Sequence, residues 1–125
     1  MIFLKGNFPS FKNSKQMTKG GYLIMSKTVR KYLKENEEQW EIIPADFQNI
    51  RESDYPLFIG MHFVRGTKHK YDWVNMVQGV QDLMVKHGWI ADDNVEVMYP
   101  VPLEYDGVFS SYNKENPGVY IEILN

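Results

Sequence analysis

The clearest periodicity in this chain lies over "DWVNMVQGVQDLMVKHG", residues 72–88. Trp73, Met76, Val77, Val80, Leu83 and Met84 recur at helical spacing and form one apolar face. Asp72 stands where an N-cap belongs, Lys86 and His87 fall in the last turn, and Gly88 suits the position that closes a helix. A second helix is predicted through "KTVRKYLKENEEQW", residues 27–40, with Ser26 as its N-cap. That helix runs from basic to acidic, against the preference of its dipole, an orientation eased by an anion near the basic end.

Four short blocks carry strand patterning: "MIFLKG" (1–6), the apolar "LFIGMHFV" (57–64), "VEVMYPV" (95–101) and "GVYIEIL" (118–124). Pro100 and Pro102 favour a sheet edge or a strand end for the third. "NFPSFKNSKQMTKGG" (7–21) has loop composition, "YLIM" (22–25) is apolar, and "IIPADFQNIRESDYP" (42–56) reads as a connector. "RGTKHKY" (65–71) is a basic loop. The order β-α-β-α-β-β predicts an α/β (α+β) fold, a single domain over residues 1–125 with a small mixed sheet packed against two main helices.

Composition narrows the picture. A chain of 125 residues with 3 Trp, 8 Tyr and 7 Phe can build one core without staples. There is no Cys, which excludes disulfides and thiolate metal sites. No apolar run reaches the roughly 20 residues of a membrane span, and the first residues lack the apolar centre of a signal peptide. A soluble, cytoplasmic protein with no membrane partner is expected. The net charge of −2 conceals an asymmetry, for eight of the 14 basic residues and none of the 16 acids fall within residues 1–34. A basic end of this kind suits an electrostatic contact with phosphates, and equally the solvation of a Gly-containing segment.

Candidate chemistry centres on acids that bracket the 72–88 helix: Asp72 at its start, and Asp92 and Asp93 just past its end. Two readings stand side by side. Asp72 is a cap and Asp92–Asp93–Asn94 a solvated turn, or the carboxylates hold a hard cation such as Mg²⁺ beside a phosphodiester. The helix is too long for Asp72 to meet Asp93 along it, so the metal reading requires that the following strand return or that a dimer supply the partner. Of the histidines, His87 lies at the edge of the apolar face, His62 packs within a strand, and His69 lies beside Lys68 and Lys70 within reach of a phosphate. No His pair has zinc spacing, and there is no Gly-rich phosphate loop or local nucleophile motif.

The run "KYDWVNMVQGVQDLMVKHGWIADDNVEV", residues 70–97, resembles the RusA family of Holliday junction resolvases. That family shows a basic approach, an Asp-x-Asp-Asn motif opening a helix, a Gly closing it and an Asp-Asp pair after it, and the run follows this order with Lys70, Asp72, Asn75, Gly88 and Asp92–Asp93. "FPSFKNSKQ" looks like the family's Pro-Ser-x-x-Asn loop with trailing basic residues, and "KENPGVYIEI" is similar to the terminal strand of phage-type members. The resemblance implies a homodimeric, Mg²⁺-dependent endodeoxyribonuclease of bacterial or phage origin. Such an enzyme cleaves four-way junctions or other branched double-stranded DNA in recombination and repair. Carried over by position, Asp72, Asp92 and Asp93 become the catalytic acids, and the same three with Asn75 the metal ligands. DNA contacts are expected from the basic N-terminal region and the basic loop, at Lys12, Asn13, Lys15, Lys19, Arg65, Lys68, His69 and Lys70.

Two positions depart from that pattern. Val74 stands where the motif has its second acid, and Gln78 where the family has a lysine that assists cleavage. Positions 74 and 78 share one helical stripe with Gln81 and Val85, so a metal-facing stripe has become neutral and partly apolar. Either the site is rewired, with Asp82, Asn75, Lys68 or Lys70 as substitutes, or the scaffold is a RusA-like DNA-binding or assembly module that no longer cuts.

Overall fold

A computed structural model describes residues 1–11, 15–17 and 23–125. The main sheet holds five strands: β1 (Ile2–Lys5), β4 (Leu57–Arg65), β5 (Met98–Pro102), β6 (Ser111–Tyr112) and β7 (Gly118–Ile123). Its order is β1-β7-β4-β5, with the short β6 also paired to β4. β7 runs antiparallel to β1 and β4, whereas β5 and β6 run parallel to β4, so the sheet is mixed. Two further strands, β2 (Lys15–Met17) and β3 (Leu23–Met25), pair antiparallel in a separate ribbon. The helices are α1 (Lys27–Asn36) and α2 (Trp73–Lys86). The α+β architecture expected from the hydrophobic pattern is the one observed.

α2 forms as its periodicity predicts. Met76, Val77, Val80, Leu83 and Met84 are buried, and Trp73 packs against the same core while partly exposed. The Asp72 carboxylate accepts from the Val74 amide at 3.0 Å and caps the first turn. At the other end Gly88 takes φ +78°. The Trp89 amide bonds to the Met84 carbonyl at 2.8 Å and the Gly88 amide to that of Val85 at 3.2 Å. This pair of bonds closes the helix and satisfies carbonyls that would otherwise be orphaned.

α1 begins where expected, with the Ser26 hydroxyl accepting from the Val29 amide at 3.4 Å. It ends four residues earlier than the periodicity suggested, because residues Glu37–Glu41 tighten into a 3₁₀ turn. The tighter turn buries Trp40 completely. Its indole N–H donates to the Tyr32 hydroxyl at 3.0 Å, and its ring lies 5.2 Å from that of Trp89 and 6.1 Å from Phe8. A continued α-helix would have swung Trp40 through a different angle. Glu37, at the start of that turn, accepts from Lys86 and from His87, tying α1 to the C-terminal end of α2. Burial alone would raise the Glu37 pKa, but these two hydrogen bonds and the charges of the same partners outweigh it and hold the carboxyl below its usual value.

Three smaller expectations change. β5 starts at Met98 rather than Val95, because Asn94 holds the preceding residues in a turn. Its side chain accepts from the Glu96 amide at 2.9 Å, and its carbonyl accepts from Val97 and Met98. β2 arises inside a stretch of loop composition, and β6 inside the polar "SSYN", where neither has a periodic signal to announce it. β5 is an edge strand, as its two prolines require.

Gly79, on the buried face of α2, lets the N-terminal segment cross the helix. A Cβ there would collide with the Phe11 ring, whose backbone amide also bonds to the Asn75 carbonyl at 3.5 Å. Gly79→Ala should therefore destabilise the fold by about 1–3 kcal/mol, although Ala is the better helix former by ~1 kcal/mol. Adding Phe11→Ala should return part of the loss. Urea unfolding of the two variants checks this, and a stabilised Gly79→Ala protein would refute the crossing.

Candidate functional site: a cation-lined concavity

β4 delivers the chain to a concavity of about 520 Å³ lined by Arg65, by residues 67–71 and by Ser110, Ser111 and Tyr112 of the β6 segment. It forms where β6 pairs with the last residues of β4, Val64 opposite Ser111 and Arg65 opposite Tyr112. The basic loop between β4 and α2 makes the other wall. In sheets with parallel strands, ligands favour this place, outside the carboxyl ends of the strands.

The cations in it differ in freedom. Arg65 is anchored inward. Its Nη1 donates to the Phe8 carbonyl at 2.8 Å, and its guanidinium lies 4.7 Å from the centre of the Tyr71 ring. Nε is buried without a hydrogen-bond partner among the described residues. Burial pulls the Arg65 pKa down from its ordinary value, partly offset by Tyr71. Lys68 sits with Nζ 5.1 Å from the Tyr112 ring centre, and Lys68, His69 and Lys70 are exposed. Tyr71 is held at the rim by its hydroxyl, 2.7 Å from Ser110 Oγ. The concavity thus combines one anchored cation, two exposed ones, an imidazole and several hydroxyls, an inventory that matches phosphate oxygens. Lys12, Asn13 and Lys19, the remaining expected DNA contacts apart from Lys15 in β2, lie outside the described residues.

The acids are distributed along α2 rather than gathered. Asp72 is exposed at the N-terminal end, between Tyr71 of the basic concavity and Trp73 of a neighbouring apolar one. Asn75 is half-buried one turn further on. Asp92 and Asp93 are exposed beyond the other end of a 14-residue helix that spans about 21 Å. β5 does return alongside β4, but the two aspartates precede it and stay at its starting end. A single chain therefore does not bring Asp72 to Asp92 and Asp93, and among the described residues no three acidic or imidazole side chains are grouped to hold a metal ion. Asp92 instead organises a turn, accepting from the Asp93 amide at 2.7 Å and from the Asn94 side chain at 3.2 Å.

The acid that does feel Asp93 is Asp82. Partial burial raises the Asp82 pKa above its ordinary value, and the charge of Asp93 raises it further. Both carboxylates lie near the C-terminal end of α2, where the helix dipole also disfavours negative charge. Val74 and Gln78 are exposed, with Val74 at 67 % of its full accessibility, so the altered stripe faces solvent.

Sequence reasoning missed the partnership of His62. The ring is fully buried, with Nδ1 3.0 Å from the Leu103 carbonyl oxygen and Nε2 2.9 Å from Ser111 Oγ. "LFIGMHFV" identifies a histidine inside an apolar strand, yet its partners come from 41 and 49 residues away.

The repulsion at the end of α2 has a measurable consequence. An acid whose folded pKa is raised costs stability above that pKa, and the cost fades as pH falls from there to its unfolded value, below which none remains. Asp93→Asn should therefore stabilise the protein at pH 7 by a few tenths of a kcal/mol, roughly the size of exposed charge pairs. The gain should fade as pH falls through the raised Asp82 titration and be gone by about pH 3, where Asp82 is protonated in the folded and unfolded chain alike. Thermal unfolding of both proteins across that range checks the sign, and a destabilised variant at pH 7 would contradict it.

No family model, no curated protein and no solved structure matches this chain, so the functional reading stands on its own residues.

Proposed function

We propose that this chain is a RusA-like protein that binds branched DNA, with the phosphate backbone lying in the concavity between the basic loop and β6. The observation that carries this reading is the placement of Lys68, His69 and Lys70 around one hydroxyl-lined depression, with the exposed Asp72 next in the chain after Tyr71 of its lining. Phosphate contacts of this sort position a duplex without reading its sequence, as a structure-selective protein needs. The first 34 residues, with eight basic side chains and no acid, add to the positive charge a phosphate backbone would meet.

Mg²⁺-dependent cleavage of the phosphodiester is the fuller form of the reading, with Asp72 and Asn75 near the bound backbone. Asp92 and Asp93 would join them only from a second copy, so cleavage depends on the homodimer. The exposed, uncharged Val74 and Gln78, and the separation of the acids within one chain, favour the second reading, a binding module without metal-assisted cleavage by these acids.

Binding to a labelled four-way junction tests the proposal. Affinity should fall steeply with salt, and Lys68→Glu with Lys70→Glu should weaken binding on all sequences alike. The double reversal should also lower the salt slope by about one for each phosphate that is no longer neutralised. Unchanged affinity and slope would remove the concavity from the reading.

Restoring charge to the altered stripe separates cutting from binding. Because Val74 is exposed in the first turn, Val74→Asp with Gln78→Lys should fold normally. An acid at a helix N-terminus is favoured by ~0.3–1 kcal/mol, and an i, i+4 pair with lysine adds a few tenths. If the stripe faces a bound junction, the variant should cut in Mg²⁺ and not in EDTA, faster than the parent. A parent that already cuts, and loses this with Asp72→Asn, points to a rewired site; no cutting by either protein leaves the binding module.

A further inference from the structure

The wall of the concavity contributed by β6 holds a hydroxyl whose hydrogen bond sets it apart from the others. Ser111 Oγ lies 2.9 Å from Nε2 of His62. A carbonyl oxygen can only accept, so Nδ1, 3.0 Å from the Leu103 carbonyl, carries the proton of the neutral ring. Nε2 is then the acceptor, and the Ser111 hydroxyl donates into it. The imidazole cannot turn away: it is fully buried, with the rings of Tyr105 and Tyr120 at 5.7 and 6.2 Å. Ser111 is only half-buried and lines the cation-bearing concavity on one side and a smaller one of about 270 Å³ on the other.

A hydroxyl, a base within hydrogen-bond reach and a third group that fixes the tautomer of the base make up the arrangement of an activated oxygen nucleophile. A histidine needed only for packing would be satisfied as well by two buried partners. Here one of the two opens onto a surface that attracts anions.

We infer that Ser111 is a nucleophile activated by His62, and that its substrate class is a phosphate ester held by the cations of the concavity. In the reaction Ser111 Oγ bonds to phosphorus as the bond to the leaving oxygen breaks. The Ser111 proton passes to His62 Nε2, and the leaving alkoxide takes a proton from water. Attack on the serine-linked phosphorus by water or a second hydroxyl, whose proton neutralises the hydroxide left by the first step, releases Oγ, which recovers its proton from His62. That the ester is a nucleic-acid phosphodiester rests on the proposed function; the activation of Ser111 does not.

The test uses the full chain and a fluorophosphonate probe, in which Oγ displaces fluoride from phosphorus. Intact mass and peptide mapping should show one adduct per chain, at Ser111, absent from Ser111→Ala. His62→Asn can keep a donor to the Leu103 carbonyl but offers Ser111 no base, and should slow labelling at least about 100-fold. Circular dichroism establishes that this variant is folded; if it is not, the rate for native protein against urea-unfolded wild type decides, and equal rates overturn the inference. Labelling absent from Ser111, or undiminished in a folded His62→Asn, also overturns it and leaves a structural pair. A second arm incubates the protein with labelled four-way junction and probes SDS-denatured samples for a covalent complex, expected with wild type and absent with Ser111→Ala. A labelled Ser111 in a protein that binds no junction would refute the DNA reading alone. A protein that binds junctions but is not labelled would refute the nucleophile alone.

Discussion

The burial of β4 on both faces is the constraint on which the rest depends. Its residues Ile59, Gly60 and Met61 pair with β5 on one side and β7 on the other, and all of the strand but Phe58 and Arg65 is buried. Leu57, Ile59, Met61 and Phe63 belong to the main core with Val119 and Ile121 of β7 and the apolar face of α2. The alternate residues point the other way, where a polar surface would ordinarily suffice. Here that side carries His62, fully buried, so the chain after β5 has to come back and cover it. The Leu103 amide bonds to the Met61 carbonyl at 3.1 Å, and the Asp106–Gly107 turn, with φ of 54° and 80°, reverses the chain above the tyrosines.

That covering segment places the candidate site. Having crossed the face of the sheet, the chain rejoins β4 at its end as β6, beside the basic loop that leads into α2. Two segments distant in sequence are thereby forced to share the carboxyl end of one strand. The loop supplies Lys68, His69 and Lys70, and β6 supplies hydroxyls. Arg65, the last residue of β4, joins them from below through Phe8 and Tyr71. The site is a by-product of closing the far side of β4.

The acids follow a different rule. Asp72 is where a helix N-terminus wants an acceptor, and it serves as one. Asp92 is where a turn wants a side-chain acceptor, and it serves as one too. Asp82 and Asp93 stand in electrostatic tension, at the end of α2 that the dipole makes least hospitable to them. Asp72 stands at one end of α2 and Asp92 and Asp93 beyond the other, which leaves any shared role to a second copy.

What the sequence determined by itself was local. The 3.6-residue period of α2, its Asp72 cap and its Gly88 stop, the Ser26 cap of α1 and the apolar β4 block were legible because each depends on neighbours within a turn or two. The basic loop at residues 65–71 was legible for the same reason. The tertiary structure decided the rest, because it depends on contacts that no short window contains. The 3₁₀ turn after α1 exists because Trp40 must reach Tyr32 and Trp89, and β6 exists because β4 offers an unpaired edge. Which acids approach one another was set by the direction of β5 and not by their spacing in the chain. His62 and Ser111, 49 residues apart, meet only because the polypeptide returned to bury a histidine, and no periodicity records that return.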